Sequence, residues 1–99
     1  MFTIRFTTQA QTELLWFSKR DQKVIIQGIR VSLSYEPTIE AKNRKPMQAN
    51  PYASWELRVQ KFRVLYNVDT EVEIVSIEKI GLKINNKFFF KGKDTPYVS

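Results

Sequence analysis

The chain has 99 residues and a formal net charge of +6, with 42% hydrophobic and 26% charged residues. This length and balance predict one globular domain over residues 1–99 that buries its own core. Cysteine and histidine are both absent from the sequence, which excludes zinc fingers, disulfide frameworks, thiol nucleophiles and histidine-based acid–base chemistry. The N-terminus alternates apolar and polar residues, and no stretch has the roughly 18 apolar residues of a membrane span, so we expect a cytoplasmic protein. Its positive charge favours acidic partners such as nucleic acid, anionic lipid or an acidic protein.

The first third of the chain predicts one strand and two helices. Residues 2–7 (FTIRFT) have the period-2 alternation of a half-buried strand. Thr7 or Thr8 is the expected N-cap of a first helix that ends near Lys19, with apolar positions at Ala10, Leu14, Leu15 and Phe17. Asp21 is the expected N-cap of a second helix, whose stripe comprises Val24, Ile25, Gly28, Ile29, Ser32 and Leu33 and which ends before Pro37. We interpret both stripes as core and expect an antiparallel helical hairpin.

Residues 38–54 predict a loop between the helices and the strands that follow. This segment has no hydrophobic period, contains two prolines and carries Lys42, Arg44 and Lys45. At about 17 residues it is longer than the usual connection, and loops of that length tend to be functional or mobile. Its positive charge lies next to the hairpin that follows.

From Trp55 onward the period-2 pattern returns and predicts an antiparallel meander. Its segments are WELRV, FRVLYNV, VEIVSIEKI and a short KFFFKG, with turns at Gln60–Lys61 and Asp69–Thr70 and a break at Gly81. A first strand, two helices and a three- to four-stranded meander predict an α+β, two-layer fold with the helices packed on one sheet face. The opposite face is then partly solvated.

A two-residue turn at Gln60–Lys61 sets Arg58 directly opposite Arg63. Alternation assigns a helix-facing set that consists of Trp55, Leu57, Val59, Phe62, Val64, Tyr66 and Val68. It assigns to the open face Glu56, Arg58, Arg63, Leu65, Asn67, Val72, Ile74, Ser76, Glu78 and Ile80. Like charges that face each other destabilise a sheet, so the arginine pair requires an explanation.

Two explanations are open for this pair. Glu56 and Glu78 can neutralise the arginines in a solvated network, or the pair can form an anion-binding groove with the adjacent basic residues. We favour the groove, because two guanidiniums can each donate a bidentate fork to a phosphate. This indicates nucleic acid, with RNA, single strands and duplex as alternatives. Phe88–Phe90 offers either a base-stacking platform or core, and we expect two of the three to be core.

The order of these features resembles the RelE/ParE superfamily of type II toxin–antitoxin toxins. The resemblance covers about residues 2–93. It is carried by the helical hairpin, the basic loop and two motifs, W-E-L-R-V-x-x-F-R-V-L-Y from Trp55 and V-x-I-V-x-I-x-x-I-G-x-K from Val72. RelE-like members of the superfamily cleave mRNA in the ribosomal A site, whereas ParE-like members poison DNA gyrase.

In the RNase branch, a ribose 2′-hydroxyl attacks the adjacent phosphate, which requires proton removal, charge stabilisation and proton delivery to the 5′-oxygen. The resemblance implies that Arg63 is the transition-state-stabilising arginine and that Arg58 and Lys83 are further catalytic basic residues. We expect five further cations to bind RNA phosphates, namely Lys42, Arg44, Lys45, Lys61 and Lys87. Glu56 stands where the superfamily often has a lysine, and the residues after Lys83 lack a clearly placed tyrosine. Candidates for proton transfer are therefore Glu56, Glu78 and Tyr97, with simple ion pairing as the alternative for both glutamates.

The resemblance implies, as our leading interpretation, a ribosome-dependent endoribonuclease that halts translation and requires neither a cofactor nor a metal. Its expected partners are the ribosome with its mRNA and an acidic cognate antitoxin, in a hetero-oligomeric complex. Apolar residues on the basic open face, Leu65, Val72 and Ile74, suit such an antitoxin. Two other functions are consistent with the sequence: a gyrase inhibitor without nuclease chemistry, and a non-catalytic basic module that binds RNA or protein.

Overall fold

The computed structural model describes residues 1–90 and the strand Lys93–Thr95, and in this part of the chain two helices cover one face of a sheet. The elements are β1 (Thr3–Phe6), α1 (Thr8–Leu15), α2 (Lys19–Leu33), β2 (Arg44–Pro46), β3 (Trp55–Val59), β4 (Phe62–Asp69), β5 (Ile74–Ile84), β6 (Lys87–Phe90) and β7 (Lys93–Thr95). Strands β2 to β7 lie side by side in chain order with antiparallel pairing, and β1 pairs in parallel with β5. The predicted α+β fold is confirmed. Neither helix of the described part is long and apolar enough to cross a membrane.

Side-chain caps set the starts of both helices. The Oγ1 of Thr7 accepts a hydrogen bond from Ala10 N at 3.1 Å, as predicted for α1. The Oγ of Ser18 accepts from Asp21 N at 3.1 Å, so the N-cap of α2 is Ser18 and the prediction of Asp21 was wrong. Asp21 instead lies in the first turn, where a carboxylate interacts favourably with the helix dipole. The first helix ends at Leu15 and not near Lys19.

The main core lies between the helices and the sheet. It contains Ala10, Phe17, Ile25, Ile29 and Leu33 from the helical segment and Leu57, Phe62, Val64, Tyr66, Val75, Ile77 and Ile80 from the strands. The predicted stripe of α2 and the helix-facing side of the β3–β4 hairpin are thus confirmed. Leu15 was predicted as core but is 68% exposed, because Leu14 beside it takes the position that packs against the core.

A β-bulge changes the face of the residues in the second half of β5. Leu65 pairs with Lys79 whereas Tyr66 pairs with Ile77, so Glu78 is an extra residue on β5. Alternation shifts by one at a bulge, and both Ile77 and Ile80 are therefore buried against the helices. The prediction that Ile80 lies on the open face was wrong for this reason.

The connection between β4 and β5 is longer than predicted. It covers residues 70–73, since β4 ends at Asp69 and β5 begins at Ile74. The Asp69 carboxylate accepts from Glu71 N at 3.0 Å and from Val72 N at 3.3 Å, as aspartate commonly does in turns. Val72 is consequently an exposed turn residue, and its predicted place on the open sheet face was wrong.

A second, smaller core covers part of the face that was predicted to be open. Leu65 is fully buried there with Ala53, Phe88 and Phe90, and Met47 and Tyr52 pack at its edge. The solvated placement of Leu65 was therefore wrong, while the expectation that two of the three phenylalanines are core is confirmed. Gly81 permits this arrangement, because a Cβ at that position would collide with the Phe89 carbonyl and lie 2.6 Å from the Phe90 ring.

The segment predicted as a loop contains the three-residue strand β2, which pairs with β3. Lys45 lies opposite Glu56, and Arg44 lies opposite Leu57. So short a strand has too few residues to show alternation, and it forms only because β3 offers an edge. Its pairing brings the basic segment against the Arg58–Arg63 hairpin.

Candidate functional site

The β3–β4 hairpin has the predicted register, with Arg58 paired to Arg63 and Val59 to Phe62 around a turn at Gln60–Lys61. Gln60 adopts a φ of 55°, the left-handed backbone that such a tight turn requires. Strand β5 lies beside β4, and its Gly81 pairs with Arg63. Lys83 lies two residues further along β5 and so on the same face.

These strands and the preceding segment enclose a cleft with a cavity volume of about 90 Å³. Its lining consists of Lys42, Asn43, Lys45, Glu56, Arg58, Arg63 and Lys83, and we call it the basic cleft. Five of these side chains are cationic and one is anionic. The cleft thus brings together the three predicted catalytic residues and two of the predicted phosphate-binding residues, Lys42 and Lys45.

Arg63 is held in place by its own turn. Its Nη1 donates to the carbonyl oxygens of Gln60 and Phe62, both at 2.9 Å, and its Nε lies 3.5 Å from Glu56 Oε2. Burial lowers the pKa of Arg63, the carboxylate of Glu56 raises it, and the nearby Arg58 lowers it. An arginine pKa is so high that the guanidinium remains charged at neutral pH. Arg63 is therefore a fixed, partly desolvated cation.

Arg58 has a looser attachment. Its side chain is exposed, and its Nη2 donates to Lys42 O at 2.9 Å, while its backbone N donates to Asn43 O at 2.8 Å. Asn43 in turn donates from Nδ2 to Ser32 Oγ at 3.0 Å. Asn43 was not predicted as part of the site, since its place depends on the pairing of β2 with β3.

Glu56 lies beneath the cations as a buried carboxylate. Its side chain is 3% exposed, with Oε1 3.4 Å from Lys45 Nζ and Oε2 3.5 Å from Arg63 Nε. Neither oxygen accepts a hydrogen bond from any described residue. Glu56 thus forms ion pairs with Lys45 and Arg63.

Lys83 lies where the basic cleft meets the second core. Its Nζ is 5.3 Å from the centroid of the Phe88 ring, within cation–π range. The aromatic side of the second core therefore borders the cleft at this point.

Three of the predicted phosphate-binding residues do not line the basic cleft. Arg44 donates from Nε to Ile39 O at 2.9 Å and from Nη1 to Ser32 O at 3.1 Å, and so ties its segment to α2. Lys61 is exposed in the β3–β4 turn, and Lys87 is exposed at the start of β6.

One described candidate for proton transfer, Glu78, also lies away from the cleft lining. The side chain of Glu78 accepts from Asn67 Nδ2 at 3.4 Å at the bulge. Tyr97 lies outside the described residues. Of the predicted proton-transfer residues in the described part, only Glu56 lines the cleft.

Sequence reasoning missed a second buried carboxylate, Glu13 on α1. It is fully buried, with Oε1 accepting from Ile80 N at 2.9 Å and Oε2 3.0 Å from Lys79 Nζ. Lys79 Nζ also lies 4.5 Å from the centroid of the Phe90 ring. The sequence did hold a signal, because Glu13 lies three residues after Ala10 and four before Phe17, on the stripe assigned to the core.

Comparison with solved structures assigns this fold to a class of protein. The protein is similar to a chain of the RelBE2 toxin–antitoxin complex from Mycobacterium tuberculosis, at 26% identity and a TM-score of 0.69, over 83% of this chain and 98% of that one. A chain of the archaeal RelE–RelB complex from Pyrococcus horikoshii OT3 has the same fold, at 18% identity and a TM-score of 0.64, over 80% of this chain and 91% of that one. No protein-family model matches the sequence, and no curated protein matches it significantly.

The protein therefore has the RelE-like toxin fold, and the superfamily resemblance predicted from the sequence is confirmed.

Proposed function

We propose that this protein, as a single domain over residues 1–99, is the toxin of a type II toxin–antitoxin system. Its activity is ribosome-dependent endonucleolytic cleavage of mRNA, which inhibits translation in the cytoplasm. The observation that carries the proposal is the basic cleft, which gathers Arg58, Arg63 and Lys83 with Lys42 and Lys45. The structural similarity to chains of RelE-containing complexes supports the toxin class.

The chemistry that this cleft suits is attack of a ribose 2′-oxygen on the adjacent phosphorus. The 2′-hydroxyl loses its proton to solvent water, the phosphorus–O5′ bond breaks, a 2′,3′-cyclic phosphate forms, and the 5′-oxygen leaves with a proton. Negative charge develops on the phosphoryl oxygens, and fixed donors in a partly desolvated site stabilise such charge most effectively. Arg63 meets this requirement because two carbonyls and Glu56 already hold it. Arg58, directly opposite, supplies a second guanidinium.

The proton of the leaving group comes from Lys83, and the proton of the 2′-hydroxyl passes to solvent water. An ammonium group donates protons, so we assign Lys83 to the leaving 5′-oxygen. The Glu56 oxygens are covered and cannot reach a 2′-hydroxyl without rearrangement. Alignment of the attacking oxygen on the ribosome then supplies much of the rate, as holding reacting groups in position does in general.

The partner that neutralises this activity is an acidic cognate antitoxin, in a hetero-oligomeric complex. The net charge of +6 suits an acidic chain. One comparison structure is a toxin–antitoxin complex, RelBE2, and the other is a RelE–RelB complex.

The test is inducible expression in bacteria while incorporation of labelled amino acids and thymidine is followed. Wild type is compared with Arg63→Ala and with Arg20→Ala, a matched loss of an exposed arginine on α2. We expect rapid loss of amino-acid incorporation with wild type and Arg20→Ala, and relief by Arg63→Ala at equal soluble protein levels.

Two outcomes would contradict this proposal. Loss of thymidine incorporation first, unaffected by Arg63→Ala, would identify a gyrase inhibitor instead. No effect on either label would leave a non-catalytic binding module.

A further inference from the structure

One charged group in the basic cleft, Glu56, has no part in the proton transfers proposed above. Glu56 is buried under Lys45 and Arg63, and each of its carboxylate oxygens exposes less than 1 Å². A general base must come within hydrogen-bonding distance of the proton that it removes. The covered oxygens of Glu56 do not meet that condition, so Glu56 is not placed to act as the general base.

The ion pairs of Glu56 indicate a different role. Lys45 Nζ and Arg63 Nε lie 3.4 and 3.5 Å from its two oxygens, one cation on each. Five cationic side chains line a cavity of about 90 Å³, and their mutual repulsion is strongest when no anion is bound. A carboxylate fixed below them offsets this repulsion in the unliganded protein and holds Arg63 and Lys45 in position.

The same charge acts against the ligand. A phosphate in the basic cleft lies above the carboxylate, which repels it and cannot donate a hydrogen bond to it while ionised. We therefore infer that Glu56 is a positioning residue and internal counter-ion that lowers the affinity of the basic cleft for phosphate groups. This inference rests on the phosphate-binding part of the proposed function and not on cleavage.

Affinity for a non-cleavable ligand tests the inference. The probe is a 2′-O-methylated RNA tetranucleotide, titrated calorimetrically into wild type, Glu56→Gln and Glu56→Asp. Glutamine keeps the shape of the side chain without its charge, and aspartate keeps the charge. The matched control is Glu71→Gln, which removes an exposed carboxylate from the β4–β5 connection.

We expect Glu56→Gln to lower the Kd by about tenfold, since a unit charge a few ångströms away still has a substantial effect after screening. Glu71→Gln should bind within about twofold of wild type, well under the tenfold that corresponds to 1.4 kcal/mol. Glu56→Asp keeps the negative charge and should bind no more tightly than wild type. An unchanged or weaker affinity in folded Glu56→Gln would overturn the inference. Failure of wild type and Glu56→Gln alike to bind the probe would overturn both the inference and the phosphate-binding part of the proposed function. If the affinities are as expected but expression in cells does not arrest translation, the inference about Glu56 is supported and the proposed function is refuted.

A second measurement decides the matter if Glu56→Gln does not fold. A crystal structure of the wild-type protein with the same probe should show a phosphate against Arg58 and Arg63, with the Glu56 oxygens still against Lys45 and Arg63. A probe 2′-oxygen within about 3.2 Å of a Glu56 oxygen would instead assign Glu56 as the general base.

Discussion

At the scale of single residues, the two facing arginines have the same chemistry but different surroundings. Arg63 donates to two carbonyls from one Nη and pairs with Glu56 through Nε. Arg58 is exposed and donates to one loop carbonyl, that of Lys42. A group that is already held loses less conformational entropy when a ligand binds, so Arg63 should contribute more to phosphate binding.

Replacing each arginine with lysine separates its charge from its geometry. We expect Arg63→Lys to weaken binding of inorganic phosphate about tenfold or more. A lysine ammonium lacks the planar pair of donors of a guanidinium and cannot replace both carbonyl contacts of Arg63. Arg58→Lys is the matched control and should weaken binding less than about threefold. Isothermal titration calorimetry at constant ionic strength provides the comparison. Equal losses in the two variants would show that only the number of charges matters.

At the scale of secondary-structure elements, α1 completes an edge of the sheet. The edge of β5 opposite β4 pairs with β1 along Ile74–Ile77 and with β6 along Leu82–Ile84. Between these two pairings, Ile80 N donates to the Glu13 carboxylate, and Thr7 Oγ1 donates to Glu78 O at 3.4 Å. The side chains of Thr7, the N-cap of α1, and of Glu13 in α1 thus replace a missing strand partner at the bulge.

Removal of the Glu13 carboxylate should therefore destabilise the whole fold. Glu13→Ala leaves a buried backbone N–H without an acceptor and Lys79, whose side chain is 15% exposed, without its carboxylate. We expect a loss of about 3 kcal/mol in the free energy of unfolding. Glu13→Gln should lose less, because an amide oxygen can still accept from Ile80 N. Urea denaturation measures both variants, with Glu71→Ala as the surface control.

An unchanged stability of Glu13→Ala would contradict this role of Glu13. If Glu13→Ala unfolds at the same urea concentration as wild type, and Ile80 N exchanges its hydrogen no faster, the carboxylate does not support the bulge.

The same elements show what could be predicted from the sequence. The register of Trp55–Tyr66 was predictable, because a two-residue turn and period-2 alternation together leave one pairing that buries the apolar face. The bulge at Glu78 was not predictable from the sequence. Next to the bulge, Ile80 N donates to the carboxylate of Glu13, which lies 67 residues away along the chain. The second core was missed because Met47, Tyr52 and Ala53 come from a segment without any period.

The candidate site was predictable to the same extent as the strands that carry it. Arg58 and Arg63 follow from alternation on β3 and β4. Lys83 was predicted from the superfamily resemblance, because uninterrupted alternation on β5 would put it on the helix-facing side, and the bulge at Glu78 is what moves it to the open face. Arg44 and Lys45 appeared equivalent while their segment was taken as a loop. Once it pairs as β2, alternation sends them to opposite faces, with Lys45 in the basic cleft and Arg44 bonded to the backbone next to α2.

At the scale of the whole molecule, positive charge is spread over 16 lysine and arginine residues, but the basic cleft concentrates five of them. Binding through the cleft and binding through the general surface charge therefore differ in which lysines matter. Each phosphate contact that a cation makes releases counterions, so the affinity falls as salt concentration rises.

The salt dependence of RNA binding distinguishes a defined cleft from diffuse attraction. We expect Lys42→Gln, which removes an exposed cation that lines the cleft, to reduce the slope of log affinity against log salt by about 0.7, the value for one contact to a single strand. Lys23→Gln removes an exposed cation on α2 and should leave the slope unchanged. Fluorescence anisotropy with a labelled 2′-O-methylated RNA between about 50 and 200 mM salt resolves such a change. If both variants reduce the slope equally, the RNA is held by the net charge of the surface, and the basic cleft is not its binding site.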